Sequence, residues 1–413
     1  MINLPQGWEW KSLGEIFNIE RGGSPRPIKE FLTDKENGIN WIKIGDIKNQ
    51  KYLYKTEEKI IQEGLKKSKL VIEGDLLVSN SMSFGKPVIV KLQKGAIHDG
   101  WLLLKEKINL NKEYFYYLFS SNFMYSFLSY QASGSTVKNL NIDKLKQIEI
   151  PLPPLKEQER IVGILDESFA KIDESIKILE QDLLNLDELM QSALQKAFNP
   201  LKDNAKENYK LPQGWEWKSL GEISNLIQNG FAASKNNEIP SGYVHLRTHN
   251  ISTDGNLNFD TLIKIKREFI KEKQSFIEKN DILFNNTNST ELVGKTALVT
   301  QNYNYAFSNH LTKIKLKNQY NSKLVVFYFV LLLKNKYFEK ICHQWIGQSG
   351  INIDKLKKIQ IPLPPLKEQE QIAKHLDFVF EKTKALKELY TKELKDYEEL
   401  KQSLLNKAFK GEL

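Results

Sequence analysis

A ten-residue segment, Ile150-Pro-Leu-Pro-Pro-Leu-Lys-Glu-Gln-Glu159, constrains this chain more than any other stretch, because Ile361 to Glu370 repeats it residue for residue. In each copy two prolines precede a leucine. Proline holds φ near the helical value, and in a first helical turn its missing N–H costs nothing. Glu157 and Glu159 then face the positive end of the helix dipole. Each copy therefore reads as a strand end, a stop, and the start of a long helix.

The run after the first copy is strongly periodic. Leu165, Phe169, Ile172, Ile176, Leu179, Leu183, Leu186, Met190, Ala193 and Ala197 follow in alternating steps of four and three. That 3.5-residue period keeps one apolar seam facing a partner helix. A helix of roughly 40 residues would be about 60 Å long. The second run is looser: Leu376, Val379, Leu386, Tyr390, Leu394, Tyr397, Leu404 and Ala408 form a seam. Lys387 and Lys401 fall where the first run is apolar. Two such helices in one chain most simply pack as an antiparallel pair. Its pairing residues are expected to be Phe169, Ile172, Ile176, Leu179, Leu183, Leu186 and Met190 against Leu386, Leu394, Tyr397 and Leu404.

The repeat extends beyond the helices. Leu4 to Ile16 returns identically at Leu211 to Ile223, and Asn141-Ile-Asp-Lys-Leu145 at Asn352 to Leu356. Gly74-Asp-Leu-Leu77 corresponds to Asn280 to Leu283, and Gly85-Lys86 to Gly294-Lys295. The chain is a tandem duplication whose framework is kept and whose middle differs. The expected order is a globular domain over 1–150, a long helix over 151–199 and a linker over 200–210. A second globular domain over 211–361 and a second long helix over 362–413 follow. Within the domains, Ile39–Ile44 and Tyr243–Arg247 read as strands, and Leu70–Val78 as two strands turning at Glu73-Gly74. Lys112–Tyr130 and Ser322–Ile346 read as helical, with Phe115, Leu118, Phe119 and Tyr125 spaced to face a core. The fold class is α+β.

Charge is distributed unevenly. The net +9 conceals a first helical run (156–198) of net −5 and a second (367–413) that is balanced, leaving +14 on the rest. Basic globular parts suit a polyanion, and the helices suit protein. The longest apolar segment, Leu324–Leu333, is too short to span a bilayer, and no signal peptide is visible at the N-terminus. The single cysteine, Cys342, excludes an internal disulfide and fits a reducing cytoplasmic setting.

Motifs for catalysis are missing. Gly294-Lys295-Thr296 has Ser289 where a phosphate-binding loop needs glycine, and Gly85-Lys86-Pro87 has Asn80 there. His245 and His249 lack the intervening glutamate of a zincin helix. There is no dinucleotide fingerprint, no aminomethyltransferase tetrapeptide and no nuclease-type acid pair. Two polar loops stand out instead, at equivalent places: Ser79 to Lys86 and Asn285 to Lys295. Short Asn, Ser and Thr side chains suit base edges and phosphates, and lysine suits phosphates. A solvated turn is the plain alternative. The candidate DNA-contacting residues are Arg21, Ser24, Arg26, Lys43, Ser79, Asn80, Ser81, Ser83, Lys86, Ser135 and Lys138 in the first half. In the second they are Arg247, His249, Asn250, Asn285, Asn286, Thr287, Asn288, Lys295, Gln348 and Ser349.

Taken together, these residues resemble the specificity subunit of type I restriction–modification systems over essentially the whole chain. The resemblance lies in Gly-Trp-Glu-Trp-Lys-x-Leu-Gly-Glu-Ile opening each half, Gly22-Gly-Ser-Pro25, and Gly-Asp-Leu-Leu leading to Gly-Lys. The duplicated Pro-Leu-Pro-Pro-Leu-Lys-Glu-Gln-Glu is its most specific part. The resemblance implies two target-recognition domains joined by an antiparallel coiled coil with an internal pseudo-two-fold. Each domain would read one part of a bipartite site in double-stranded DNA, with half-site centres roughly 34 Å apart on one face. Two methyltransferase subunits and a restriction/translocase subunit would be its partners, and would carry S-adenosylmethionine, ATP and Mg²⁺. The chain itself would be non-catalytic and hold no metal or cofactor. The sequence departs from the pattern at Asn229-Gly-Phe-Ala-Ala-Ser234, which replaces the Gly-Gly-Ser-Pro segment. A fused modifying or nuclease enzyme and a coiled-coil scaffold without a DNA role are the competing readings.

Overall fold

The computed structural model describes residues 4–47, 50–80, 85–132, 142–199, 210–234, 238–270 and 276–413. The chain divides into two compact units. One comprises residues 1–179 with 391–413, and the other residues 180–390, so the division falls within both long helices.

In the N-terminal unit, Glu9–Ser12 pairs antiparallel with Glu149–Leu152, which runs directly into the first long helix, Leu155–Phe198. A five-stranded sheet has the spatial order Phe17–Arg21, Trp101–Glu106, Leu76–Ser79, Pro87–Val90, Tyr52–Leu53. A second, four-stranded sheet has the order Glu58–Ile60, Ile39–Ile42, Lys94–Ile97, Lys69–Ile72. The segment expected to be one helix from Lys112 is two, Lys112–Ser120 and Asn122–Ala132, broken at Ser121. Phe115, Leu118 and Phe119 are buried as their spacing implies, but Tyr125 is 53% exposed, because the second helix turns Met124 and Leu128 to the core instead.

The C-terminal unit repeats this frame. Glu216–Ser219 pairs with Gln360–Leu363, which leads into the second long helix, Leu366–Lys410. Its four-stranded sheet has the order Ser224–Asn229, Leu311–Leu316, Ile282–Asn285, Thr296–Leu298. Glu238–Leu246 lies between Lys264–Ile265 and Ala306–Phe307 in a three-stranded sheet. The apolar helix Ser322–Lys334 fills the core. The expectation of helix through Ile346 is overturned. Lys336 adopts a left-handed φ of 56°, a short helix Tyr337–Ile341 follows, and His343–Trp345 is a strand.

The long helices pack together within each unit. In the N-terminal unit Arg160 donates to the Leu413 carbonyl and Lys401 Nζ lies 2.5 Å from Asp173 Oδ1, which is an antiparallel register. In the C-terminal unit Lys387 Nζ lies 2.5 Å from Asp187 Oδ1, and Met190, Leu194 and Phe198 share a core with Ala373, Leu376 and Phe380. Ile172, Leu179 and Met190 are buried, and Phe169, Ile176, Leu183, Leu186, Leu394, Tyr397 and Leu404 half-buried. Leu386 is instead 39% exposed. The buried and half-buried face of the second helix runs through Leu376, Phe380, Thr383, Lys387, Tyr390, Leu394, Tyr397 and Lys401, so it keeps four of the expected positions and shifts by one residue at Phe380 and Lys387.

Candidate nucleic-acid interface

The polar candidates gather where strands end. In the N-terminal unit the strand Ile39–Ile42 runs parallel to Lys94–Ile97 and ends at Lys43. A 3₁₀ turn follows, with Asp46 Oδ2 accepting from the Lys43 backbone N–H at 2.7 Å. In the C-terminal unit Glu238–Leu246 runs parallel to Ala306–Phe307 and ends at Arg247, where Asn250 Oδ1 accepts from the backbone N–H at 2.8 Å. Lys43 and Arg247 therefore hold one structural position, a half-buried cation just past the equivalent strand of each unit. Each faces a glutamate, Lys43 on Glu58 at 2.9 Å and Arg247 on Glu238 at 3.7 Å. The Glu58 partner holds the Lys43 ammonium above its usual range.

Around Lys43 the structure gathers several sequence candidates. Ser24 Oγ donates to Asp99 Oδ1 at 2.8 Å, Arg21 Nε donates to the Asp99 carbonyl, and Arg26 reaches Asp99 Oδ2 at 3.7 Å. Burial opposes ionisation of Asp99, but the Ser24 hydrogen bond and the nearby His98, Arg26 and Arg21 outweigh it and keep its pKa low. Ser24, Arg26 and Lys43 line an 890 Å³ cleft with Trp41, Glu58 and His98. Sequence reasoning missed both Trp41, which lies in a strand, and Asp99, which lies in the short turn between Lys94–Ile97 and Trp101–Glu106.

The glycines explain the apparent departure in the second half. A Cβ on Gly22 would fall 2.3 Å from the His98 carbonyl oxygen, and one on Gly230 2.0 Å from that of Phe307. Backbone crosses backbone at both places, so only glycine fits. This crossing is the part of the segment that both units share; in the N-terminal unit Gly23 is enclosed as well, a Cβ there falling 2.5 Å from the Lys67 carbonyl oxygen.

The two loops after the central strands also match. Ser79 N–H donates to the Lys86 carbonyl and Asn285 N–H to that of Lys295. Many of the loop candidates face inward. Ser79, Asn80, Asn250, Asn285, Asn286, Lys295 and Ser349 are buried. Asn286 Nδ2 donates to Asn309 O and Thr312 Oγ1, and Lys295 Nζ to Thr248 O at 2.9 Å, where burial lowers its pKa. Asn286 and Lys295 hold their loop in shape, whereas the buried side-chain amides of Asn80 and Asn285 make no hydrogen bond among the described residues. Arg21, Arg26, Lys86, His249 and Gln348 face solvent. Ser81, Ser83, Ser135 and Lys138 lie outside the described residues. His245 and His249 diverge: His245 is buried against Phe231 O, whereas His249 contacts Thr261 O.

Thr287–Asn288 forms the edge of a small sheet with Gln348–Gly350 and His343–Trp345. Thr290 Oγ1 and Ser349 Oγ share a hydrogen bond of 2.8 Å. Four sequence candidates, Thr287, Asn288, Gln348 and Ser349, are thus brought onto one platform.

A family profile described as the type I restriction modification DNA specificity domain matches residues 5–183 and again residues 212–396. The chain belongs to this family. Family relatives span the entire chain. It is 25% identical over 448 residues to the type I restriction enzyme EcoBI specificity subunit of Escherichia coli, covering 100% of this chain and 88% of that one. Over 226 residues it is 32% identical to a putative MjaX specificity subunit of Methanocaldococcus jannaschii, covering 48% of this chain and 52% of that one. A chain from a structure on the assembly and conformational transition of the type I R-M system superposes with a TM-score of 0.80 at 22% identity, covering 100% of both. The HsdS subunit from Thermoanaerobacter tengcongensis gives 0.60 at 22%, covering 100% of this chain and 98% of that one. Those structures share its fold. Among the described residues no helix is long and apolar enough to cross a membrane.

Proposed function

We propose that this chain is the sequence-specific DNA-binding subunit of a type I restriction–modification complex, each globular part reading one element of a bipartite site. The observation that carries the reading is the repeated cation, Lys43 and Arg247, at the same strand end in two units that each match a DNA specificity domain. Cations on the globular parts supply salt-dependent attraction to phosphates, and side chains beside them discriminate bases at about 1–3 kcal/mol per good bidentate contact. The long helices set the spacer and dock two methyltransferase subunits. A restriction/translocase subunit completes the assembly. S-adenosylmethionine, ATP and Mg²⁺ are assigned to those partners, and methylation and cleavage with them, in the cytoplasm.

Mapping methylated bases in cells carrying the complex tests this. A bipartite motif is expected, and exchanging residues 24–140 for those of a relative should alter one element only. A change in both elements, or methylation by the purified chain alone, would overturn it.

A further inference from the structure

Ile346 is the most exposed large apolar side chain among the described residues, and Trp345 beside it is 55% exposed. They sit at the tip of a hairpin. Trp345 pairs with Gln348, and Ile346-Gly347 make the two-residue turn, with Gly347 at a φ of +80°. Water would be released from both side chains by any apolar contact, which marks the tip as an interaction element.

The tip is stiff. The Trp345 ring lies against the backbone of Gly350, where a Cβ would meet its Cζ3 at 2.8 Å, and packs edge-on to His343 with centroids 5.0 Å apart. The returning strand pairs on its other edge with Thr287–Asn288. Lys355 Nζ donates to the Ile341 carbonyl just before the hairpin. Charge decides which partner this fits. Residues 334–358 carry six lysines against two acids, with Lys340 and Lys355 the nearest to the hairpin in sequence, while Lys334 lines a cavity with Asp377 and Lys336 lies near Glu291. Lysine is depleted at protein–protein interfaces, whereas a cationic surround favours a phosphate backbone. An apolar tip with basic flanks and adjacent hydrogen-bonding side chains is the make-up of residues that press between base pairs.

We propose that Trp345 and Ile346 form a wedge that enters a groove of the duplex and partly unstacks one base step in the element read by the C-terminal unit. This rests on the DNA reading above. It makes Trp345 a specificity-determining residue, because steps that unstack easily would be preferred without any base-edge contact.

The experiment uses the assembled complex with its methyltransferase and a duplex bearing the mapped site, with 2-aminopurine placed singly through and beside the C-terminal element. Fluorescence should rise at one step with the wild-type complex. Trp345→Ala and Ile346→Ser should abolish that rise and weaken binding about tenfold. Trp345→Phe should retain most of both, and a mismatch at the responding step should restore binding by Trp345→Ala. The proposal is overturned if no step responds in a wild-type complex that binds its site. It is equally overturned if the variants bind and respond as wild type, or if they fail to assemble with the methyltransferase. A wild-type complex that methylates no bipartite motif would remove the DNA reading first, and the wedge with it.

Discussion

Gln158 and Gln369 each tie three pieces of a unit together with one buried amide. Gln158 Oε1 accepts from the Asn111 N–H at 2.9 Å while its Nε2 donates to the Pro153 carbonyl; Gln369 does the same for Asn321 and Pro364. Asn111 and Asn321 in turn cap the helices that fill each core. Gln369→Ala should therefore leave a buried N–H unpaired and cost about 1–3 kcal/mol, read as a lower melting temperature of the C-terminal unit. An unchanged melt would show the clamp to be idle. His245 makes a second prediction. Burial, then the Arg247 charge, pull its pKa down to about 4. A depressed folded value means the unfolded chain binds the proton more readily. The stability is therefore complete above about pH 6.5 and is lost as pH falls towards 4, by up to about 3 kcal/mol. His245→Gln should flatten the melting temperature of that unit between pH 7 and 4.5. The duplicated segment was legible as a helix start because proline and glutamate act locally. The glutamine clamp was not, because its partner lies 47 or 48 residues away.

At the scale of elements, the seam of the second helix carries lysine where an aliphatic residue would pack better. Lys387 and Lys401 reach Asp187 and Asp173, and Lys401 also lies over the Phe169 ring at 5.8 Å. A polar residue on a helical seam sacrifices stability to specify register. The carboxylates are more than half exposed, so each pair adds at most about 1 kcal/mol. Replacing Lys387 by Ile and Lys401 by Met, the residues at the equivalent places of the first helix, should raise the melting temperature by a few degrees. It should also loosen the spacing between the methylated elements. A sharper spacing or a lower melting temperature would contradict the register role. Periodicity made the first seam readable; the second was readable only in part, because its positions include two charges, and Leu386 beside one of them offered a misleading apolar choice. The hairpin bearing Trp345 was hidden for a related reason. The apolar run from Leu324 reads as one helix, and only the left-handed turn at Lys336 ends it.

At the scale of the molecule, each compact unit is built from sequence that is far apart. The core of the N-terminal unit includes Leu405, Ala408 and Phe409, and the Phe409 ring packs edge-on to Tyr114 with centroids 5.3 Å apart. Phe409→Ala should cost that unit about 3–5 kcal/mol. Limited proteolysis should then cut within residues 4–132 while leaving the C-terminal unit intact; equal protection of both would disprove the dependence. Repetition in the sequence announced two domains and two helices, but not that the chain's last turn completes its first core. That feature has a consequence for gene architecture. Gly411 lies so close to Pro5 that a Cβ on it would fall 2.1 Å from the proline ring. Pro5 and Gly411 are therefore neighbours within one compact unit, close enough for a short bridge to join them. Bridging residues 5 and 411 and opening the chain between Asn199 and Lys210 should give a permuted protein with the same fold, and a gene whose halves can be written in either order.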